Sequence, residues 1–323
     1  MRESLRRKPT VQIATAALPL LLFAAAALSP ARATDAFRVE ELAPGVRLFR
    51  PAPDAGDGTN SLVVERDDGL LVVGAQPSPE IARKLLAAIA EHSGKQVRYL
   101  VLPHSHAEAA GGATAFPGST LVIGSQGCLE ALQDEDYEFG AEARLRASDP
   151  SSWAEPPRRL PALVPLAKTL LTDPRNEVEL LPFTASHSAG DMAVFLPGSD
   201  IFFAGAVVFP DRKPYGGDAD TSIWVAALNH LIRQGPRIVV PLRGPVQDVA
   251  ALRVQRNSLA WLRAKVAEAM IDRLPIDEIR ERVLEDEDLG ERFETDAPFL
   301  PLLVERVIQQ ALDNQAKRFR NGQ

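Results

Sequence analysis

The sequence predicts a mixed β-sheet with helices packed outside it, followed by a wholly helical C-terminal stretch. Three observations carry this reading. Short runs rich in Val, Leu and Phe open the chain around a hairpin turn, strand-like runs then alternate with helical spacing, and after Pro245 only helical spacing remains. Val46 to Arg50, Ser61 to Glu65 and Leu70 to Val73 read as strands, with Asp67-Asp68-Gly69 turning between the last two. Pro79 to Glu91 places Ile81, Leu85, Leu86 and Ile89 at helical spacing behind Ser78 as N-cap. Strands follow at Val97 to Leu102 and Thr120 to Ile123, then a short helix near Gln126 to Leu132. Further strands fall at Val178 to Phe183, Met192 to Leu196, Ile201 to Ala204 and Arg237 to Val240, the last preceded by a helix from Thr221 to Gln234. The tail reads as helices over Val249 to Ile271, Ile276 to Leu284 and Pro301 to Leu312.

Composition bounds the function. With 323 residues, 46% hydrophobic and 24% charged, the chain has material for a large core, which excludes disorder, collagen and coiled coil as descriptions of the whole. The net charge is −7, but Arg2, Arg6, Arg7, Lys8 and Arg32 all lie in the first 33 residues beside a single acid, Glu3. Without that segment 31 basic groups face 42 acidic ones, a net charge of −11. An acidic chain with no basic stripe argues against nucleic acid as partner. The basic start is followed by an apolar run from Val11 to Leu28, broken by Pro19, and by Ala31-Arg32-Ala33 as a cleavage site. Residues 1–33 therefore read as a signal peptide, the alternative being a membrane anchor, and the mature protein is expected in the periplasm or secreted. No later segment is long and apolar enough to span a bilayer. Cys128 is the only cysteine, so no internal disulfide forms, and it reads as a small buried side chain.

Residues 134–174 differ from their surroundings, beginning acidic (Asp134, Glu135, Asp136, Glu138) and becoming proline-rich (Pro150, Pro156, Pro157, Pro161, Pro165). A connection of this length is either a lid or binding loop, or a surface excursion without a role. The expected organisation is a main domain over 34–247, carrying this insertion, and a helical extension over 248–323. In the extension Leu262, Val266, Met270 and Leu274 are spaced amphipathically, for packing on the chain's own domain or for a homodimer contact.

Of five histidines, three sit at strand ends: His104 and His106 in His104-Ser105-His106, and His187 in Ser186-His187-Ser188-Ala189-Gly190-Asp191. Two histidines in an irregular turn are not held to strand alternation and can converge on one ion. A third from a neighbouring strand end completes a three-histidine face with one open position, which suits catalytic Zn²⁺. His-x-His alone is weak evidence, and the plain alternative is a set of hydrogen-bonded histidines. Asp191 reads as a turn cap, Trp224 as core, Tyr215 as the border of a cleft, and His92 and His230 as surface groups.

From about Phe37 to Pro245 the sequence resembles the metallo-β-lactamase-fold superfamily. The resemblance is carried by Leu71-Val72-Val73-Gly74, Leu102-Pro103-His104-Ser105-His106-Ala107-Glu108-Ala109, Ser186 to Asp191, Phe203-Ala204-Gly205-Ala206 and Val239-Val240-Pro241-Leu242-Arg243-Gly244. It implies an α+β fold, a four-layer αββα sandwich, and two metals. Here the motif's Asp is Glu108, the adjacent His is Ala109, the bridging Asp is Ala206, the last His is Arg243 and a supporting Asp is Gly74. Every ligand particular to the second metal is altered, while the first-metal set His104, His106 and His187 is intact. The resemblance so modified implies one Zn²⁺ and hydrolysis of a small-molecule ester, thioester, lactone or amide. Glu108 would handle the proton and Arg243 would stabilise the oxyanion. The competing implication is a non-catalytic descendant that binds a ligand or protein through the old cleft, with Arg243 paired to Glu108.

Overall fold

The computed structural model describes residues 36–52, 57–147, 154–295 and 298–320. The expected signal peptide, residues 1–33, lies outside them. Eleven strands appear among the described residues: β1 (Phe37–Ala43), β2 (Val46–Pro51), β3 (Ser61–Arg66), β4 (Gly69–Val73), β5 (Val97–Val101), β6 (Leu121–Ile123), β7 (Thr169–Leu171), β8 (Val178–Pro182), β9 (Met192–Leu196), β10 (Ile201–Gly205) and β11 (Ile238–Pro241). The helices are α1 (Pro79–His92), α2 (Ala107–Ala110), α3 (Gln126–Gln133), α4 (Ala141–Arg146), α5 (Thr221–Gln234), α6 (Val249–Ile271), α7 (Ile276–Leu284), α8 (Leu289–Arg292) and α9 (Phe299–Arg320). One sheet runs β1-β2-β3-β4-β5-β6, antiparallel through β4 and parallel from β4 to β6. The other runs β11-β10-β9-β8-β7 and is antiparallel except between β10 and β11.

Strand alternation sets the layers. Every residue of β4 is buried, because its two faces meet different partners. Leu71 and Val73, with Leu62 and Val64 of β3, share a core with Val178, Leu180, Val194 and Phe203 of the second sheet. Their neighbours Leu70, Val72 and Val63 pack with Ala82, Leu85 and Ile89 of α1. Trp224, Leu228 and Leu231 bring α5 onto the second sheet, giving the αββα sandwich that the resemblance implied; the strand pattern alone predicted a mixed sheet with helices outside. The tail joins the same core through Leu252, Leu259 and Leu262 of α6 and Leu303, Val304 and Val307 of α9.

Local chemistry fixes the ends. Ser78 caps α1 by accepting from the Ile81 amide at 3.3 Å, and Gly235, at φ 65°, closes α5 in the left-handed conformation that glycine adopts without strain. Four elements depart from expectation. β1 leaves most of its side chains partly or fully exposed, so its sequence lacks an apolar signature. α4 and β7 fall inside the stretch read as irregular, where one-and-a-half turns and three residues are too short for periodicity to register. α9 runs on to Arg320, past Leu312, and residues 313–318 of that extension are exposed. No helix among the described residues is long and apolar enough to cross a membrane.

Leu71, fully buried between the sheets, and Leu166, 82% exposed, make a paired test of this layering. Leu71→Ala is expected to cost about 2–5 kcal/mol in urea denaturation, and Leu166→Ala no more than about 0.5 kcal/mol. Equal costs would place Leu71 outside the core.

Candidate metal centre

The three histidines sit where the sheets are tied together. Beyond β5 the Leu102 amide donates to Ile123 O at 2.8 Å, and Pro103 O accepts from the Met192 amide at 2.7 Å, bonding the chain just past β5 to the start of β9. The chain then turns through His104 and His106 into α2, whose first amide, that of Ala107, donates to Phe139 O. His187 stands on a turn organised by Asp191. That carboxylate accepts from the Ser186 amide and hydroxyl at 3.0 and 2.6 Å, and from the Ser188 amide and hydroxyl at 2.9 and 3.1 Å. The cap expected of Asp191 is thus present, and it holds the ligand-bearing loop.

Five buried donors converge: His104, His106, Glu108, Glu142 and His187 each offer one atom, all within 4.8 Å of one another. Their hydrogen bonds decide which atoms face inward. His187 Nδ1 lies 3.1 Å from Tyr215 O, a carbonyl that only accepts, so Nδ1 carries the proton and Nε2 presents a lone pair. His106 Nε2 lies 3.2 Å from the Asp218 carboxylate, leaving Nδ1 to face inward. His106 Nδ1 is 3.3 Å from His187 Nε2 and 3.6 Å from Glu142 Oε2, and His187 Nε2 is 3.1 Å from Glu142 Oε2. His104 Nε2 is 2.7 Å from Glu108 Oε1. Ligands 2.0–2.1 Å from one tetrahedral ion stand about 3.4 Å apart, so these separations fit a single cation. Glu108 Oε2 and Glu142 Oε2 are buried without hydrogen-bond partners, an arrangement that is costly unless a positive charge serves them.

The electrostatics agree. Burial disfavours a proton on His106, but Asp218, Glu108 and Glu142 outweigh it and raise its pKa to about 10. His187 is raised for the same reason, burial being overcome chiefly by Glu142. Burial opposes ionisation of Glu142 as well, yet Arg146 and His187 hold it well below the usual carboxylate range. Without a metal, this field captures protons. Metal and protons compete for the same lone pairs.

Sequence reasoning located His104, His106, Glu108 and His187, which the fold brings together, and missed three supports. Glu142 comes from α4, outside every motif quoted above; its only local sign is Arg146 four residues on, at helical pairing distance. Asp218 orients His106 and also accepts from the Tyr137 hydroxyl at 3.0 Å. It lay in the segment noted only for Tyr215. Gln76 has φ 74° with its side chain buried, bonded to the Thr59 amide and carbonyl and to Ser61 Oγ. A non-glycine residue in that region signals a position the surroundings enforce, and Thr59 in turn donates to Glu108 O at 3.1 Å. No sequence signal announces it.

Arg243 lies outside the five-donor cluster. Its Nη1 donates to the carbonyls of Asp57 and Gly58, both at 3.3 Å, and it forms no ion pair with Glu108 among the described residues. Burial, and then Arg146, push its pKa down, opposed by the fields of Glu108 and Glu142. Ala109 and Ala206 are buried in the apolar core, where a second metal would need donors. Gly74, at φ 89°, stands in a backbone conformation that an Asp there would find strained. A cavity of about 630 Å³, within the ligand-pocket range, reaches the cluster at His106 between Tyr137, Tyr215, Asp218 and Leu302.

Residues 54–242 match the sequence model of the metallo-beta-lactamase superfamily. The chain belongs to that superfamily. No curated protein matches it. Among solved structures, a metallo-beta-lactamase from Pontibacter korlensis is 20% identical, with a TM-score of 0.56 over 69% of this chain and 99% of that one. The stereoselective inverting sec-alkylsulfatase Pisa1 from Pseudomonas sp. is 19% identical, with a TM-score of 0.69 over 85% of this chain and 50% of that one. This chain thus spans half the length of the sulfatase. The matched share is larger than everything before α6, so the likeness of fold extends beyond the metallo-beta-lactamase sandwich into the C-terminal helices.

If Asp218 orients His106, Asp218→Ala is expected to weaken zinc binding about 10–100-fold, measured by competition with a chromophoric chelator. Unchanged affinity in a variant with native circular dichroism would remove Asp218 from the centre.

Proposed function

We propose that this protein is an exported single-zinc hydrolase of an ester, thioester, lactone or amide. The observation that carries the reading is the convergence of one donor atom each from His104, His106 and His187, the latter two fixed in orientation by Asp218 and Tyr215 O, with buried carboxylate oxygens of Glu108 and Glu142, all within 4.8 Å of one another. Zinc bound there would polarise a carbonyl oxygen and bring the pKa of water to about 7. Glu108, with Oε2 unpartnered, takes the proton from the attacking water and returns it to the leaving group. Arg243, its guanidinium held at the cluster's edge by two backbone carbonyls, supplies fixed positive charge toward the developing oxyanion. Substrate enters through the cavity at His106.

The two solved neighbours are named for a lactamase and an alkylsulfatase, and fold alone does not choose between such chemistries. The cavity lining favours an uncharged acyl group. Asp134, Asp136, Glu138 and Asp218 outnumber Arg144 there, a field that repels an anionic sulfate ester. Export is supported by the basic start, apolar run and small-residue cleavage site of residues 1–33.

Metal analysis after dialysis against trace zinc is expected to give about one zinc per chain, lost in His187→Ala. Glu108→Gln is expected to keep the zinc and lower kcat on ester or lactone substrates about 10²–10⁴-fold. A protein without zinc would sink this reading in favour of a non-catalytic descendant, and two zinc ions per chain would mean that ligands lie elsewhere.

A further inference from the structure

Glu142 divides its two oxygens between two tasks. Oε1 accepts from Arg146 Nε at 2.6 Å, while buried Oε2 has no well-aligned hydrogen-bond donor among the described residues and faces the inward nitrogens of His187 and His106 at 3.1 and 3.6 Å, within ion-pair range. A carboxylate present only to pair with Arg146 would offer both oxygens to the guanidinium fork. One oxygen on a cation and the other on nitrogen lone pairs is instead how a supported metal ligand is arranged. The guanidinium has little freedom of its own. It lies 4.4 Å from the ring centroid of Phe299 and 5.5 Å from that of Phe209, donates to Lys213 O at 2.8 Å, and approaches Asp211 at 3.7 Å. Phe299 opens α9, and it also meets Tyr215 edge-on at 6.3 Å, the residue whose carbonyl fixes His187.

We propose that Glu142 is a ligand of the metal centre and that Arg146, gripped by Phe209 and Phe299, is the residue that positions it, so that the C-terminal helix completes the site. The carboxylate enters from α4, within the insertion, rather than from a sheet edge. With three histidines and Glu142 as ligands, water would take a fifth position; the inference rests on the metal-binding part of the reading above and is independent of turnover.

Zinc affinity of the purified protein, measured by chelator competition, tests it. Glu142→Gln is expected to bind zinc about 10–100-fold more weakly and Arg146→Gln about 10-fold, with partial recovery in Arg146→Lys. The double variant Glu142→Gln/Arg146→Gln is expected to be no weaker than Glu142→Gln alone, because Arg146 acts through Glu142. Phe299→Leu, which keeps apolar bulk and removes the ring face, shifts affinity in the same direction. Metal-free circular dichroism matching the wild type verifies folding, and Glu142→Asp, which keeps the charge, replaces Glu142→Gln should the latter not fold. Wild-type affinity in the Glu142 variant overturns the ligand role while leaving the hydrolase reading intact. Additive losses overturn the positioning role, and a wild-type protein without zinc overturns both readings together.

Discussion

Lone pairs that point at one another in a dry interior are the constraint on which this molecule turns. His106 Nδ1, His187 Nε2 and one oxygen of Glu142 lie 3.1–3.6 Å apart, close enough that a proton or a cation must sit among them. The opposing bonds to Asp218 and Tyr215 O prevent either ring from turning a donor inward at no cost. Such a cluster is stable only around positive charge. The fold spends its most unusual features on maintaining it: Gln76 in a left-handed conformation, an Asp191 carboxylate satisfied four times over, and a hydrogen bond that joins the two sheets at Pro103.

The layers explain why these features meet. Two sheets sharing an apolar core present the chain turns after β5, β8 and β11 at one end of the sandwich. Asn60 ties that end further, donating to Pro241 O at 2.9 Å and Gly244 O at 3.0 Å, so that the turn bearing Arg243 is held to the start of β3. A rigid rim of this kind fixes side-chain positions far better than a free loop.

Most of this architecture was legible because alternation and helical spacing are local properties. Leu70 to Val73 and the α1 stripe declare their faces within a few residues, and the His104–His106 and His187 motifs lie where strands end. Glu142, Asp218 and Gln76 were illegible for a different reason. Their roles arise from packing between segments up to 112 residues apart, as with Asp218 and His106. Nothing in the composition of the 134–174 stretch separates Glu142 from its acidic neighbours. Only the fold shows that it points inward, whereas Asp134, Asp136 and Glu138 remain exposed. The Arg243–Glu108 pair weighed from sequence was a reasonable charge match, and it is absent because the Asp57 and Gly58 carbonyls take that guanidinium first.

Charge around the cluster is closely matched. Glu108 and Glu142 are the buried carboxylates of the cluster. Arg146 and Arg243 already contribute positive charge beside them, and each guanidinium feels both carboxylates or their partners. A second dication would enter a region with two fixed cations, with methyl groups at Ala109 and Ala206 in place of donors. Like-charge repulsion and missing ligands act together against it.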